Sequence, residues 1–216
     1  MPTLDLQVGV SAGDSEQNSI ANDSGRNVTQ FSVVFTNNTI LSPGSHSSGD
    51  EWTVAARFPS VTIDQGATID SAAFKMTADS TYSAGSNVVQ YFVSAQASDN
   101  APALSNTSGD LNVTTRPRTS ASATWIATSV TGGVEYSTDI TAVIQEVINR
   151  AGWTNGSAIV ILVDTHPNCT IGEWQDFESY DGSAANAPRL SITYSTGGGG
   201  GGTVEVTGVM RPMGIW

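Results

Sequence analysis

Short runs in which apolar and polar residues alternate dominate this chain of 216 residues. The apolar residues recur at every second position in residues 4–10, and the same period returns in residues 52–58 and 87–97. Alternation puts one set of side chains on each face of the backbone, so each run predicts a half-buried β-strand. Weaker runs of the same kind predict further strands at residues 31–35, 70–78, 123–127, 173–180 and 188–194.

One run lacks this alternation. Residues 157–164, SAIVILVD, are apolar on both faces, which predicts a central strand that is buried on both sides. Residues 11–27 and 37–50 are polar and contain the glycine, asparagine and proline residues typical of turns, so both segments are predicted to be loops.

A single helix is predicted at about residues 139–150. Its apolar residues follow the spacing of one helix face, at Ile140, Val143, Ile144, Val147 and Ile148. Thr138 or Asp139 can cap its first N–H groups, and Gly152 suits the position after its end. Because so short a helix is marginal alone, we expect its apolar face to cover the open end of a β-sandwich.

Eight to ten strands, regular turns and one helix predict an all-β fold: a jelly-roll β-sandwich with mostly antiparallel strands. We place the sandwich domain at residues 1–196. A glycine linker follows at 197–202, with an r.m.s. span of about 13 Å for six glycines, and a tail occupies 203–216.

The tail, TVEVTGVMRPMGIW, is too apolar for a segment that stays in water. Two outcomes are open: the tail folds back on its own domain, or it docks on another protein by strand addition or by anchoring Trp216 in a pocket. We favour the second outcome. The predicted partner-binding residues are Val204, Val206, Val209, Met210, Arg211, Pro212, Met213, Ile215 and Trp216.

The charge balance bears on the partners. Eight basic residues face twenty acidic ones, for a net charge of −12, so neither nucleic acid nor an anionic membrane is an expected partner. The N-terminal residues contain neither the basic nor the apolar region of a secretory signal peptide, which predicts synthesis and folding in a cytoplasm.

The densest positive charge lies in a long polar stretch, residues 99–123, at Arg116 and Arg118. One interpretation is a surface loop whose arginines pair with nearby carboxylates. The other is a surface contact, with Arg116 and Arg118 binding an anionic sugar or a neighbouring subunit.

We predict no catalytic residues, no metal ligands and no cofactor. His46 and His166 lie far apart in the sequence, and Cys169 is predicted to be a buried small side chain. Calcium at the acidic cluster Asp176, Glu178 and Asp181 is the one metal alternative. Four tryptophans are candidates for stacking on sugar rings, although core packing explains the first and third of them: Trp52, Trp125, Trp153 and Trp174.

Four segments come in a set order: RFPSVTIDQGATIDSAAFKMTA, STDITAVIQEVINRAGW, GSAIVILVD and FESYDGSAANAPRLSITY. Together they resemble the disaggregatase-related (DNRLRE-type) jelly-roll modules, over roughly two-thirds of the chain. The most specific parts are the helix at Asp139 and the closing strand with Pro188 and Arg189, where Arg189 fits a structural bridge to Asp181 or Glu178.

The resemblance implies a non-catalytic module of a kind found on bacterial surface proteins, on glycan-degrading enzymes and in tailed-phage virion proteins. With the tail, it leads us to expect a non-enzymatic virion structural protein: a head decoration, fibre or tail-associated protein, forming homo-oligomers and contacting other virion proteins. The alternative is a glycan-binding adhesin or receptor-binding module, with a host surface glycan as its partner.

Overall fold

The computed structural model describes residues 1–9, 14–19, 33–35, 39–47, 50–105, 107 and 109–195. Within these ranges the chain forms sixteen β-strands and one α-helix. In chain order these are β1 (Thr3–Gln7), β2 (Asp14–Ser19), β3 (Val33–Phe35), β4 (Ile40–Leu41), β5 (Gly44–Ser47), β6 (Asp50–Phe58), β7 (Thr68–Thr77), β8 (Tyr82–Ser83), β9 (Gln90–Ala95), β10 (Ala123–Ile126), β11 (Ser129–Val130), β12 (Glu135–Asp139), α1 (Thr141–Ile148), β13 (Ile159–Thr165), β14 (Glu173–Trp174), β15 (Phe177–Glu178) and β16 (Arg189–Ser195).

Two antiparallel sheets carry the fold. The smaller sheet has the order β1-β16-β7-β12, and the larger has the order β10-β9-β13-β6-β2-β3, with β5 joining β6 to β14. Two short pairs, β8 with β11 and β4 with β15, complete the described strands. The prediction of an all-β antiparallel sandwich with one short helix is therefore confirmed.

The two sheets share one hydrophobic core. Val54, Ala56 and Phe58 of β6 face it from the larger sheet, and alternate residues of β7 and β16 face it from the smaller sheet. The rings of Phe58 and Phe74 meet edge to face across the core, with centroids 6.4 Å apart. On β7 and β16 the sequence alternates because one face of each strand packs in this core, whereas β6 also buries Ala55 on its other face.

A second cluster lies on the opposite face of the larger sheet. Val160 and Leu162 of β13 and Ala55 of β6 contact three residues of the long polar stretch: Ala101, Leu104 and Leu111. The stretch therefore covers the sheet instead of extending into solvent. Its cover explains why β13 is apolar on both faces. The prediction of a central, buried strand is confirmed, but the strand runs from Ile159 to Thr165 instead of 157–164, and its last two residues are half-buried.

Helix α1 closes one end of the sandwich, as predicted, because it packs against β7 of one sheet and β9 of the other. Its buried residues are Val143, Ile144, Val147 and Ile148. The helix is shorter than the predicted 139–150. It ends at Ile148 with Asn149 as its C-cap, so Gly152 does not occupy the position after the helix end.

The loop prediction for residues 11–27 is wrong in part. Strand β2 lies within that segment and pairs with β6, from Asp14 opposite Ala56 to Ser19 opposite Glu51. Its sequence, DSEQNS, carries no apolar alternation, so only the pairing with β6 identifies it. Two short strands, β4 and β5, likewise interrupt the predicted loop at 37–50.

Several predictions concern residues outside the described ranges. Phe31 is one of them, although Val33 and Phe35 of the same predicted strand lie in β3. The glycine linker at 197–202 and the tail at 203–216 also lie outside. The last described residue, Ser195, ends β16 opposite Thr68 of β7.

Candidate functional site

A groove of about 680 Å³ opens beside the start of α1. It lies where the described edge strands of the two sheets, β10 and β12, come together. Aliphatic side chains, hydroxyl groups and one carboxylate contribute to its wall, among them Ile69, Ala123, Thr124, Thr138, Asp139 and Ile140. We call it the edge groove.

Asp139 fixes the helical end of the edge groove. Its Oδ1 accepts hydrogen bonds from the Thr141 backbone N–H at 2.8 Å and from the Thr141 hydroxyl at 2.6 Å. These two hydrogen bonds hold the pKa of Asp139 below its ordinary value, and the bond from the Thr141 hydroxyl has the larger effect. The Asp139 carboxylate is exposed and ionised at neutral pH, so this end of the groove is negatively charged.

Two further side chains of α1 hold the groove walls in place. The Gln145 side chain accepts from the Ile69 N–H at 2.8 Å and donates to the Ala67 carbonyl at 2.9 Å. The Glu146 carboxylate accepts from the backbone N–H groups of Ser120 and Ala121, just before β10. The helix is therefore bonded to the chain on both sides of the groove.

An aromatic stack joins β5, β6 and β14. Trp52 of β6 and Trp174 of β14 both lie opposite Gly44 of β5. The imidazole of His46 lies between the indoles, stacked on Trp174 at 4.3 Å and tilted against Trp52 at 4.8 Å. Gly44 is required here, because a Cβ at that position would lie 2.7 Å from the Trp174 Cβ.

The carboxylate of Glu173, the residue before Trp174 in β14, has two hydrogen-bond donors. It accepts hydrogen bonds from the Tyr82 hydroxyl and from the Asn87 amide. The hydrogen bond to Glu173 raises the pKa of Tyr82 to about 12. Tyr82 is 37% exposed. The side chains of Val88 and Ile171 are also exposed. They lie on two loops that are joined by hydrogen bonds between Val88 and Thr170.

The two arginines of the long polar stretch pair with carboxylates, as predicted. Arg116 bonds to Asp110 at 2.9 Å, and Arg118 bonds to Asp164 at 2.7 Å. Arg116 is only 1% exposed, and it also donates to Gln96 and to the carbonyl of Ala103. It is thus not a surface residue, and a contact with a sugar or a subunit at Arg116 is contradicted by its burial.

A scan of protein-family models finds no match to this chain, and a search of curated proteins finds none either.

The structure also shows where the other predicted aromatic residues and the cysteine lie. Trp125 and Trp153 are buried in the core, so neither can stack on a sugar ring. His166 packs against Phe92 with centroids 4.1 Å apart. Cys169 is a free, buried thiol, as predicted, and burial raises its pKa.

The acidic cluster Asp176, Glu178 and Asp181 follows β14. Asp176 accepts a hydrogen bond from the Ser42 hydroxyl at 2.7 Å. Burial is the main cause that raises the pKa of Glu178, and the negative charge of Asp79 raises it further. In the described ranges, no three His, Cys, Asp or Glu side chains come together as a possible metal site. No helix of the described chain is long and apolar enough to cross a bilayer.

Arg189 has a different neighbour from the one expected. Its guanidinium donates to Gln7 of β1 at 3.4 Å, where the sequence suggested Asp181 or Glu178. The bond joins β16 to its neighbour β1, so it agrees with a structural role. The predicted partner-binding residues of the tail, 204–216, are outside the described ranges, and their role stays a prediction.

Sequence reasoning missed the edge groove and the aromatic stack. The groove depends on which strands become sheet edges, and neither β10 nor β12 carries a signal of that position. The stack joins three distant segments through the pairing of β5 with β6 and β14. The glycine at position 44, two residues before His46, was the one local sign of close packing there.

Proposed function

We propose that this chain is a non-enzymatic structural protein of a tailed-phage virion, a head decoration, fibre or tail-associated protein attached through residues 203–216. The observation that carries the proposal is the continuous core of the sandwich, which runs through both sheets from Val8 to Ile192. Because the domain has a core of its own, the apolar tail that six glycines connect to it is available to a partner.

The chemistry of the described side chains supports a non-enzymatic role. His46 is stacked between two indoles, with its Nε2 atom 2.9 Å from the Ser42 carbonyl oxygen. His166 packs on Phe92 and accepts a backbone hydrogen bond from Asn168. Both imidazoles thus contribute to packing and loop geometry, which supports a structural role.

The test is co-sedimentation of the purified full chain with tailed-phage particles that lack it. We expect the wild-type chain to bind, and a variant with Ile215→Asp and Trp216→Asp to lose most of its binding. The matched control combines Val88→Asp with Ile171→Asp, which places the same two charges on apolar side chains that are 36% and 59% exposed on the sandwich. Equal binding by all three proteins would sink the role of the tail.

A glycan-binding module is the second candidate. In its favour, Tyr82 is exposed and its hydroxyl bonds to Glu173, next to the half-buried Trp174. Against it, Tyr82 is the one aromatic among the exposed large apolar side chains of the described chain, and a platform of two or three exposed rings is absent there. The geometry thus favours the structural role.

A polysaccharide panel separates the two candidates. If the chain binds a glycan through Tyr82, Tyr82→Ala abolishes binding, whereas Tyr82→Phe retains the ring and most of the affinity. No binding to any polysaccharide, together with tail-dependent binding to particles, agrees with the structural role.

A further inference from the structure

The larger sheet has an outer face that the polar stretch covers only in part. Tyr91 and Val93 of β9 point into the main core, so Gln90 and Phe92, which alternate with them, lie on the outer face. Farther along the same face, Leu162 lies under the polar stretch. Near Gln90 and Phe92, in the described chain, the face stays accessible.

Three strands contribute to this accessible area. Ile126 and Thr124 of β10 lie opposite Gln90 and Phe92 of β9. His166 follows β13, donates its backbone N–H to the Gln90 carbonyl and packs its ring on Phe92. Ile126 is 64% exposed, Thr124 is exposed, and the other three residues are half-buried. We call these residues the open face: Gln90, Phe92, Thr124, Ile126 and His166.

The open face is uncharged in a strongly acidic protein. It contains no carboxylate, lysine or arginine, whereas the whole chain has a net charge of −12. The adjacent Asp164, opposite Phe92, is paired with Arg118 at 2.7 Å. Residues 119–134, which include β10, likewise contain no charged residue. Depletion of charge around exposed apolar and aromatic side chains is typical of the centre of a protein–protein interface.

The outer face of the smaller sheet is different. Its four strands place charged side chains of both signs there: Asp5, Lys75, Glu135, Asp139 and Arg189. Only one pair among them, Lys75 with Glu135, is an ion pair, at 3.7 Å. The two outer faces of the sandwich therefore differ in their suitability for contact with an identical molecule.

We propose that a second copy of this chain docks on the open face, in a dimer with twofold symmetry. In such a dimer the same patch meets itself, so any charge near the axis would meet a charge of the same sign. A neutral patch avoids this repulsion. A basic partner would instead select an acidic surface, and the open face is not one. The inference concerns the free protein and does not depend on the proposed attachment to a particle.

The size of the open face indicates a weak dimer. Three neighbouring strands span about 10 Å, and a stable interface commonly buries about 800 Å² on each partner. The net charge of −12 on each copy also opposes association. Salt screens this repulsion between the two copies, so the dimer should become tighter as the ionic strength rises. A complex with a basic partner would show the opposite salt dependence.

Sedimentation equilibrium of the full chain, from about 10 μM to about 1 mM protein, tests the proposal. We expect a monomer–dimer equilibrium whose Kd falls several-fold between about 0.05 M and about 0.5 M NaCl. Ile126→Asp should raise the Kd about tenfold or more. The matched control is Val134→Asp, since Val134 is 43% exposed and precedes β12 of the smaller sheet. Its Kd should change by less than about twofold.

A charge-pair experiment asks whether two open faces meet. Thr124→Lys and Thr124→Glu should each weaken self-association, and their mixture should form a heterodimer about tenfold tighter than either variant alone. One variant is one charge less negative than the wild type and the other is one charge more negative, so the overall repulsion in the mixture is nearly unchanged. Preferential pairing therefore reports a local contact.

Three results would overturn the proposal: a monomer at every concentration and salt level, equal effects of Ile126→Asp and Val134→Asp, or no preference in the mixture. Both substituted side chains of the first comparison are exposed, so neither variant is expected to unfold the sandwich, and circular dichroism checks this. No particle takes part in these measurements, so their failure is distinct from failure of the proposed attachment role.

Discussion

Arg116 and Asp110 form an ion pair whose side chains are 2% and 10% exposed. Removing one partner leaves the other charge buried without compensation, which costs about 3–5 kcal/mol. We therefore expect Arg116→Met to lower the free energy of unfolding by that amount in chemical denaturation. Arg150→Met is the control, because Arg150 and Asp99 are more exposed and such pairs contribute about 1 kcal/mol or less. Equal losses would contradict the account, and Asp110→Leu added to Arg116→Met should restore much of the stability.

Asp139 makes a smaller, pH-dependent contribution. Ile140 is the N-cap of α1, and the Asp139 carboxylate, one residue earlier, accepts from the Thr141 N–H and hydroxyl at the start of the helix. Asp139→Ala should therefore cost about 0.3–1 kcal/mol at pH 7. Because the folded pKa lies below the unfolded one, this stability is fully present above the unfolded pKa and disappears as pH falls through the folded pKa. Denaturation of both proteins at about pH 7 and about pH 2.5 checks this. If the difference in unfolding free energy between the wild type and Asp139→Ala did not shrink in acid, the pH-dependent contribution of Asp139 would be disproved. At pH 7, Asp139→Asn should lose less stability than Asp139→Ala.

These charged residues show which properties of a single side chain can be predicted from the sequence and which cannot. That the arginines would pair with carboxylates was predictable, because eight basic residues share the chain with twenty acidic ones. The burial of Arg116 was not, since it arises only when the polar stretch folds over β13 and brings Gln96, Ala103 and Asp110 around one guanidinium.

Helix α1 contributes to stability through the face that it buries. Ile144→Ala removes a fully buried side chain and should cost about 2–5 kcal/mol. Ile126→Ala is the matched control: the same atoms are removed from a side chain that is 64% exposed, and the cost should stay near or below about 1 kcal/mol. Urea denaturation of both variants gives the comparison. Similar costs would mean that the helix does not close the core as described.

Strands were predictable where their burial leaves a pattern. Strand β13 is buried on both faces, and its continuous apolar run identified it. Strand β2 has the sequence DSEQNS, and its hydrogen-bond pairing with β6 and β3 is a long-range property that no local pattern records. The same holds for the stack of Trp52, His46 and Trp174, because three segments meet only after β5 pairs on both sides.

The shared core makes the sandwich a single cooperative unit. Strand β13 contributes Ile161 and Val163 to the main core and Val160 and Leu162 to the cluster under the polar stretch, so the two clusters cannot come apart independently. We expect one thermal transition, with the same midpoint whether it is followed by backbone or by tryptophan circular dichroism.

Two protease sites, each inserted into a separate copy of the full chain, locate the boundary of that unit. One lies between Gly199 and Gly200, and the other lies between Asn112 and Val113, in the segment that covers β13. Cutting the glycine run should move the transition only slightly, because the described core residues, from Val8 to Ile192, all precede the cut. Cutting the polar stretch should lower the midpoint further, by about 2–4 °C for each kcal/mol by which the cut reduces the free energy of unfolding. If the glycine cut proved the more damaging, residues 203–216 would belong to the core, and the attachment role proposed for them would lose its basis.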